Sequence, residues 1–506
     1  MKKKILYNIS ASLTLEIVSV ICAFVLPRMI ISGFGSEYNG IVSSVTQFLS
    51  VVTLLRGGIG GVTRAALYRP LVENDTYKIS AIIKATEAFM RKIVYIFAVF
   101  LILFAASYPV LVSKEFDWLY TFTLVLILGI STISQYYFGI TYQFLLSADQ
   151  KSYIYNILQT IATILNTVFS VVLIKMGVEF RLMKLISALV FATIPIALYW
   201  YVHRNYAILK TVPKDNTAIK QRWDAFIHQL AAFLHTNTDV MLLTMFSTLY
   251  DVSVYSVYNM IVYGVRKFVT VFTSGIESLI GKLIAAKSKQ LESFVDMYEW
   301  VINVISTVVF GCTAVLIVPF AKVYTLDITD ADYIQPALGY LLVLGSFFAS
   351  IRLPYQSMVE SAGHFKQTRN GAIIEALINL GLSLALIVPF KAVGVAIGTV
   401  VAMVFRTIQY AFYSSKNILK RSCLFFIKRG IVTTANILIL AIPYQLCGID
   451  VFLLNHSVSY FSWLLEALAV FAVLLVITLI VNIVAYRNTF VNIVHFLKKR
   501  EMQESS

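Results

Sequence analysis

Charge is what this sequence has least of. Only 13% of its 506 residues are Asp, Glu, Lys or Arg, about half the usual share of a soluble domain. Hydrophobic residues make up 59%, and the mean hydropathy is +0.80. That balance excludes a water-soluble fold and implies a polytopic membrane protein. Cysteine is equally sparse: Cys22, Cys312, Cys423 and Cys447 stand far apart, in or beside apolar runs. They lack the close spacing of a metal site or a disulfide framework and read as small hydrophobes. Also missing are a phosphate-binding glycine loop, HExxH, paired CxxC and a nucleophile elbow, so nothing points to nucleotide hydrolysis, metal chemistry or an enzyme, and no cofactor is implied.

What the chain does have is long apolar runs. Reading them between charged or turn-rich breaks gives fourteen spans, near 6–31, 38–63, 92–112, 118–146, 153–175, 182–202, 225–249, 252–280, 300–321, 334–359, 371–390, 392–413, 429–447 and 458–486. Each is long enough to cross a hydrocarbon core of about 30 Å. The run after Lys2 to Lys4 is too long for a signal-peptide core and lacks a cleavage site, so it reads as a retained first helix.

The net charge of +15 reflects topology rather than nucleic acid, because the basic residues lie between apolar runs. With both termini in the cytoplasm, 29 of the 41 Lys and Arg fall in cytoplasmic loops and ends, 7 in or beside outer loops and 5 within spans. That bias fixes the orientation. Outer loops are short, which leaves no room for the outer catalytic domain of a glycan polymerase or ligase.

The chain repeats itself. Tyr142 to Asn156 (YQFLLSADQKSYIYN) matches Tyr355 to Asn370 (YQSMVESAGHFKQTRN) at offsets of 213 and 214, and Gly58-Ile59 matches Gly275-Ile276 at 217. Six spans per half in the same orientation imply two parallel repeats about an axis along the membrane normal, with a cavity between lobes. The expected organisation is a six-helix lobe over 1–202, a cytoplasmic linker over 203–222, a second six-helix lobe over 223–413, and two added helices with a basic tail over 414–506. The fold class is therefore all-α, with about 14 transmembrane helices.

Five cations lie inside spans: Arg56, Arg266, Lys267, Arg352 and Arg406. A buried guanidinium or ammonium in hydrocarbon is costly and normally faces a bundle interior or a watery path. Arg406, near a cytoplasmic end, is expected to snorkel. Arg266 and Lys267 are adjacent, about 100° apart on a helix, so only one of them is expected to line the cavity. Arg56, Arg352 and one of that pair are candidate cavity cations. The acids near spans are Glu16, Asp239, Glu277, Glu360 and Glu375. Asp239 is the deepest, and His235 stands one turn before it on the same face, so the two are candidates for ion coupling, with Glu16 beside them. A salt bridge between Asp239 and one of the arginines is an equal reading. Tyr136, Tyr137, Tyr142, Tyr255, Tyr258 and Tyr263 are placed to stack on sugars, or to sit at membrane interfaces.

A resemblance adds to this. Pro27-Arg28 closing the first helix, the Gly35-to-Gly40 turn, the Ser43-Ser44-x-x-Gln47-Phe48 run, the cluster Gly57, Gly58, Gly60, Gly61 and the Leu67-to-Leu71 segment resemble the polysaccharide and oligosaccharide flippases of the multidrug/oligosaccharidyl-lipid/polysaccharide exporter superfamily. The likeness spans the first twelve helices loosely and raises Arg28 as a cavity residue. Arg56 departs from the family's pattern, so its role is not carried over. The resemblance implies transport of an isoprenoid-diphosphate-linked oligosaccharide across a bacterial plasma membrane by alternating access, for surface polysaccharide such as capsule or O-antigen. Membrane lipids, a glycan polymerase and chain-length machinery are the implied company, and the transporter is expected to act as a monomer. A cation-coupled drug antiporter of the same superfamily is the nearest alternative, against which the five intramembrane basic residues argue. A non-transporting scaffold would have little use for buried arginines.

Overall fold

A computed structural model describes residues 2–113, 115–209, 211–215, 237–271, 273, 276–286, 288, 290–446, 456 and 459–487. Every regular element among them is helical. Nine stretches among the described residues are long and apolar enough to cross a membrane, one of them, Lys366–Leu419, folding back on itself, so the chain is a multi-pass membrane protein. By its contacts the chain divides into two compact units, Met1–Ser253 and Val254–Ser506.

The first unit begins with α1 (Lys2–Phe34), which carries Pro27 inside it and ends at Gly35, where φ is 104°. Only glycine takes that conformation freely, which lets α2 (Ser36–Leu49) leave at a new angle. The run expected as one span over 38–63 is broken after Leu49, and α3 (Val52–Glu73) starts afresh. The hydroxyls there explain the break. Ser50 Oγ donates to the Gln47 carbonyl (2.5 Å) and Thr53 Oγ1 to the Ser50 carbonyl (2.6 Å), competing with the helical ladder.

Next come α4 (Thr76–Leu111), capped by Asp75, and α5 (Trp118–Ser134), capped by Asp117. A π-helical turn over Gln135–Gly139 joins α5 to α6 (Ile140–Ala148), and α7 (Ser152–Lys175) and α8 (Phe180–Asn205) follow. Residues 237–246 are helical and pack on α2: Thr244 and Tyr108 both donate to Ser44 Oγ at 2.7 Å. A side chain at Gly40 would stand 2.0 Å from the Leu249 carbonyl oxygen, so the approach there needs glycine.

The second unit holds most of α9 (Leu249–Val271), then α10 (Ile276–Ala285), α11 (Leu291–Tyr324), α12 (Pro336–Ile351), α13 (Leu353–Ser361), α14 (Phe365–Ser414), α15 (Leu424–Leu446) and α16 (Tyr460–Ala485). Helix α14 is two arms that reverse at Lys391 (φ 47°, ψ −125°), just after Pro389. Asn379 donates to Thr399 across them at 2.9 Å, and Gly398 lies so close to Ser383 that a Cβ would clash at 2.5 Å. The expected spans over 371–390 and 392–413 are these arms.

Candidate functional site

The reversal at Lys391 puts Glu375 on one arm of α14 opposite Arg406 on the other, each about fifteen residues from the turn. They meet as an ion pair, Arg406 Nε to Glu375 Oε2 at 3.3 Å. The arginine also donates to the Thr368 carbonyl (3.0 Å), Gln409 Oε1 (2.8 Å) and the Tyr410 hydroxyl (2.8 Å), and its guanidinium lies 4.1 Å from the Tyr410 ring centroid. Arg406 therefore does not snorkel. It is 5% exposed and fully engaged, because the hairpin supplies a carboxylate at its own depth.

Glu375 serves a second guanidinium. Arg352 stands at the joint of α12 and α13, where Pro354 removes one backbone donor, and its Nη1 reaches Glu375 Oε1 at 2.9 Å. Its Nε is buried without a hydrogen bond. Arg266, on α9, is close enough to Arg352 for their like charges to repel. Among the described residues Arg266 has no ion-pair partner; its guanidinium rests 5.7 Å from the Tyr263 ring. Two guanidiniums thus share one carboxylate and a third stands beside Arg352, leaving among the described residues a surplus of positive charge on half-buried Arg266 and Arg352.

The ammonium of Lys267 also lies 5.7 Å from the Tyr263 ring, so the adjacent pair share one tyrosine. Positions three and four before a residue are both neighbours on a helix, and long basic side chains bend towards either.

In the first unit Arg28 is half-buried on α1, one residue after Pro27, and Glu16 is exposed on the same helix. The backbone of Arg56 lies in α3, but its side chain falls outside the described residues, as does that of Glu277. Asp239 is half-buried in the helix over 237–246; His235 lies outside the described residues, so the pair is not seen together. No group of three His, Cys, Asp or Glu that could hold a metal occurs among the described residues.

Several charged residues escaped the sequence reading. Lys184, four residues into α8, is 5% exposed, with its ammonium 5.3 Å from the Phe180 ring. A buried ionic network joins α11 to the segment around α15. Arg421 bonds Glu299, and Arg429 bonds Asp296 and, at 3.1 Å, Glu299. Each sits at the edge of an apolar run, where a loop assignment hides it. In the first unit Tyr142 donates to Glu87 at 2.8 Å, and Tyr355 stands within electrostatic reach of Glu299; these residues follow their counterparts by 213 and 212 positions, close to the offset of the internal repeat.

No sequence family matches the chain, and no curated protein matches it. Solved structures do. The lipid II flippase MurJ in an inward closed conformation superposes with a TM-score of 0.70 at 14% identity, over 96% of this chain and 100% of MurJ. An inward-facing multidrug-resistance MATE transporter of the MOP superfamily gives 0.57 at 13% identity, over 79% of this chain and 95% of its own. The MATE transporter VcmN of Vibrio cholerae gives 0.57 at 14%, over 84% and 99%. The chain has the fold that these transporters share, and it superposes along nearly its whole length on a lipid II flippase.

Proposed function

We propose that this protein moves a lipid-linked oligosaccharide, carried on an isoprenoid diphosphate, from the inner to the outer leaflet of a bacterial plasma membrane. The organisation proposed with it is two six-helix lobes over 1–202 and 223–413 joined by a cytoplasmic linker over 203–222, both termini cytoplasmic, two helices added within 414–506, and alternating access through a cationic cavity. The observation that carries the substrate class is the cationic surplus of Arg266 and Arg352. A diphosphate is the anion that several guanidiniums recognise well, through short charge-assisted and bidentate contacts. The likeness to a lipid II flippase supports the same class.

Arg28, Arg56 and Lys267 complete the proposed cavity cations, and Asp239, His235 and Glu16 the proposed ion-coupling groups. The product feeds surface polysaccharide synthesis. The likeness to MATE transporters supports an antiporter as a second reading, which an acidic rather than basic site would favour.

The test is surface polysaccharide in a strain lacking the native gene, complemented with Arg266→Ala. Losing one charge-assisted contact costs roughly 1.5–3 kcal/mol, about ten- to a hundredfold in affinity. Export should fall while membrane protein level holds. Unchanged export from Arg266→Ala combined with Arg352→Ala, at normal expression, would refute the assignment.

A further inference from the structure

We propose that the cytoplasmic-leaflet groove between α1 and α7 binds an anionic phospholipid, with one acyl chain in the groove and the phosphate at the lysines above it. The groove is lined by Tyr7, Ser10 and Thr14 of α1 and by Tyr153, Ile157 and Ile161 of α7, and encloses about 460 Å³. Its length, from Tyr153 to Ile161, is about 12 Å at 1.5 Å per helical residue. The two helices pack side by side, both are apolar enough to span the membrane, and none of the most apolar stretch of α1 is buried inside the protein. The hydroxyls do not make the groove polar. Thr14 donates to the Ser10 carbonyl (2.9 Å) and Thr160, deeper in the groove, to the Asn156 carbonyl (2.8 Å), so their protons are spent within their own helices. What remains suits hydrocarbon.

The charge above the groove selects the headgroup. At its cytoplasmic end the Tyr7 and Tyr153 rings meet at 5.8 Å. Beyond them Lys4 and Lys151 share one acid, Asp149, at 3.4 and 2.6 Å. Two lysines thus meet one carboxylate at the level where lipid phosphates lie, and the sequence adds Lys2 and Lys3 to the same first turn of α1. Clustered basic residues at that level attract anionic lipid. An apolar slot under a net positive rim fits an anionic lipid better than a zwitterionic one. The groove belongs to the first unit, and its proposed occupancy does not depend on the proposed substrate.

The experiment is native mass spectrometry of the full chain titrated with phosphatidylglycerol, and in parallel with phosphatidylcholine. The wild type should retain phosphatidylglycerol preferentially. Thr14→Trp, at an exposed position, fills the groove and should lower that retention tenfold or more, whereas Val168→Trp, exposed on α7 beyond the groove, should not. Lys4→Gln removes one rim charge and should cost roughly fivefold. Its side chain is 43% exposed, so it leaves the helix packing intact and decides the question alone if Thr14→Trp does not fold. Equal retention of the two lipids by the wild type, or unchanged retention in Thr14→Trp or Lys4→Gln, overturns the proposal. So does displacement of phosphatidylglycerol by an equal concentration of an isoprenyl phosphate, which would make the carrier lipid the occupant.

Discussion

Glu299 is the residue whose loss should most damage the second unit. Its side chain is 1% exposed; it accepts a hydrogen bond from Arg421 and forms an ion pair with Arg429, whose side chains are 3% and 5% exposed. In Glu299→Gln the shape is kept, but two buried guanidiniums are left with only Asp296, itself 24% exposed, against Arg429. Breaking a buried pair by removing one partner costs about 3–5 kcal/mol, because the stranded charge has neither water nor a counter-ion. No discount for solvent is needed at these exposures. The arginines lie at the start of α15, so the damage should appear as release of the segment that follows α14. Limited proteolysis of the purified protein, cutting near Ser422, should proceed at least a hundredfold faster in Glu299→Gln. The same reasoning makes the pair replaceable. Glu299→Met combined with Arg421→Met and Arg429→Leu strands no fully buried charge, since Asp296 is 24% exposed to solvent, and should resist the protease better than the single variant. If Glu299→Gln matches the wild type, or the triple variant is worse than the single one, the reasoning fails.

Four further outcomes follow from single positions. Gly40→Val should separate α2 from Leu249, a strain of about 1–3 kcal/mol, and should lower the disulfide yield between Asn39→Cys and Ser253→Cys, whose native side chains bond at 2.9 Å. Lys391→Gly relieves a left-handed residue and should raise thermal stability by about 1 kcal/mol. Arg406→Lys cannot reach all four of its polar partners and should cost roughly 3 kcal/mol of stability, visible as a lower melting temperature, even though charge is conserved. Burial opposes ionisation of Asp149, but hydrogen bonds from Lys151 and Tyr206 and the charge of Lys4 outweigh it and hold the carboxyl below its ordinary 3.8. Its contribution is therefore full above about pH 5 and is lost as pH falls through the lowered value; Asp149→Asn should remove that acid-side loss from the melting curve.

The positions of the helices were legible because a bilayer-length apolar run has few other uses, and each expected span with described residues contains helix. The breaks inside the runs were not. At Ser50 and Val51 the interruption comes from hydroxyls that turn onto nearby carbonyls, and hydropathy does not register that competition. Arg406 was misread for a related reason. Its distance from the cytoplasm suggested a free side chain, whereas the partner that holds it, Glu375, is 31 residues earlier and is brought opposite only by the reversal at Lys391. Equal spacing of an acid and a base about a Pro-containing turn was the available signal. Lys184 had a weaker one, since four apolar or flexible residues from a span edge read equally well as a snorkelling lysine.

The two ionic clusters of the second unit look alike in sequence but differ in charge balance, and under the proposed function that difference separates support from transport. Around α15, Arg421 and Arg429 meet Asp296 and Glu299 one for one, in a buried setting where any surplus would be costly. A charge-balanced, largely buried cluster can hold helices together but has no net charge to offer a ligand. Around α14, Glu375 is divided between Arg352 and Arg406, and Arg266 stands beside them without an acid among the described residues. The packing could have removed that surplus with one more carboxylate. Arg406 is consumed by the hairpin, so the unspent charge belongs to Arg266 and to the free edge of Arg352, both half-buried. A cation kept partly exposed in a membrane protein, next to another of the same sign, is stabilised further when something anionic comes to it. Site variants should therefore divide by residue: changes at Arg421, Arg429 and Arg406 lower stability, and changes at Arg266 lower transport without doing so.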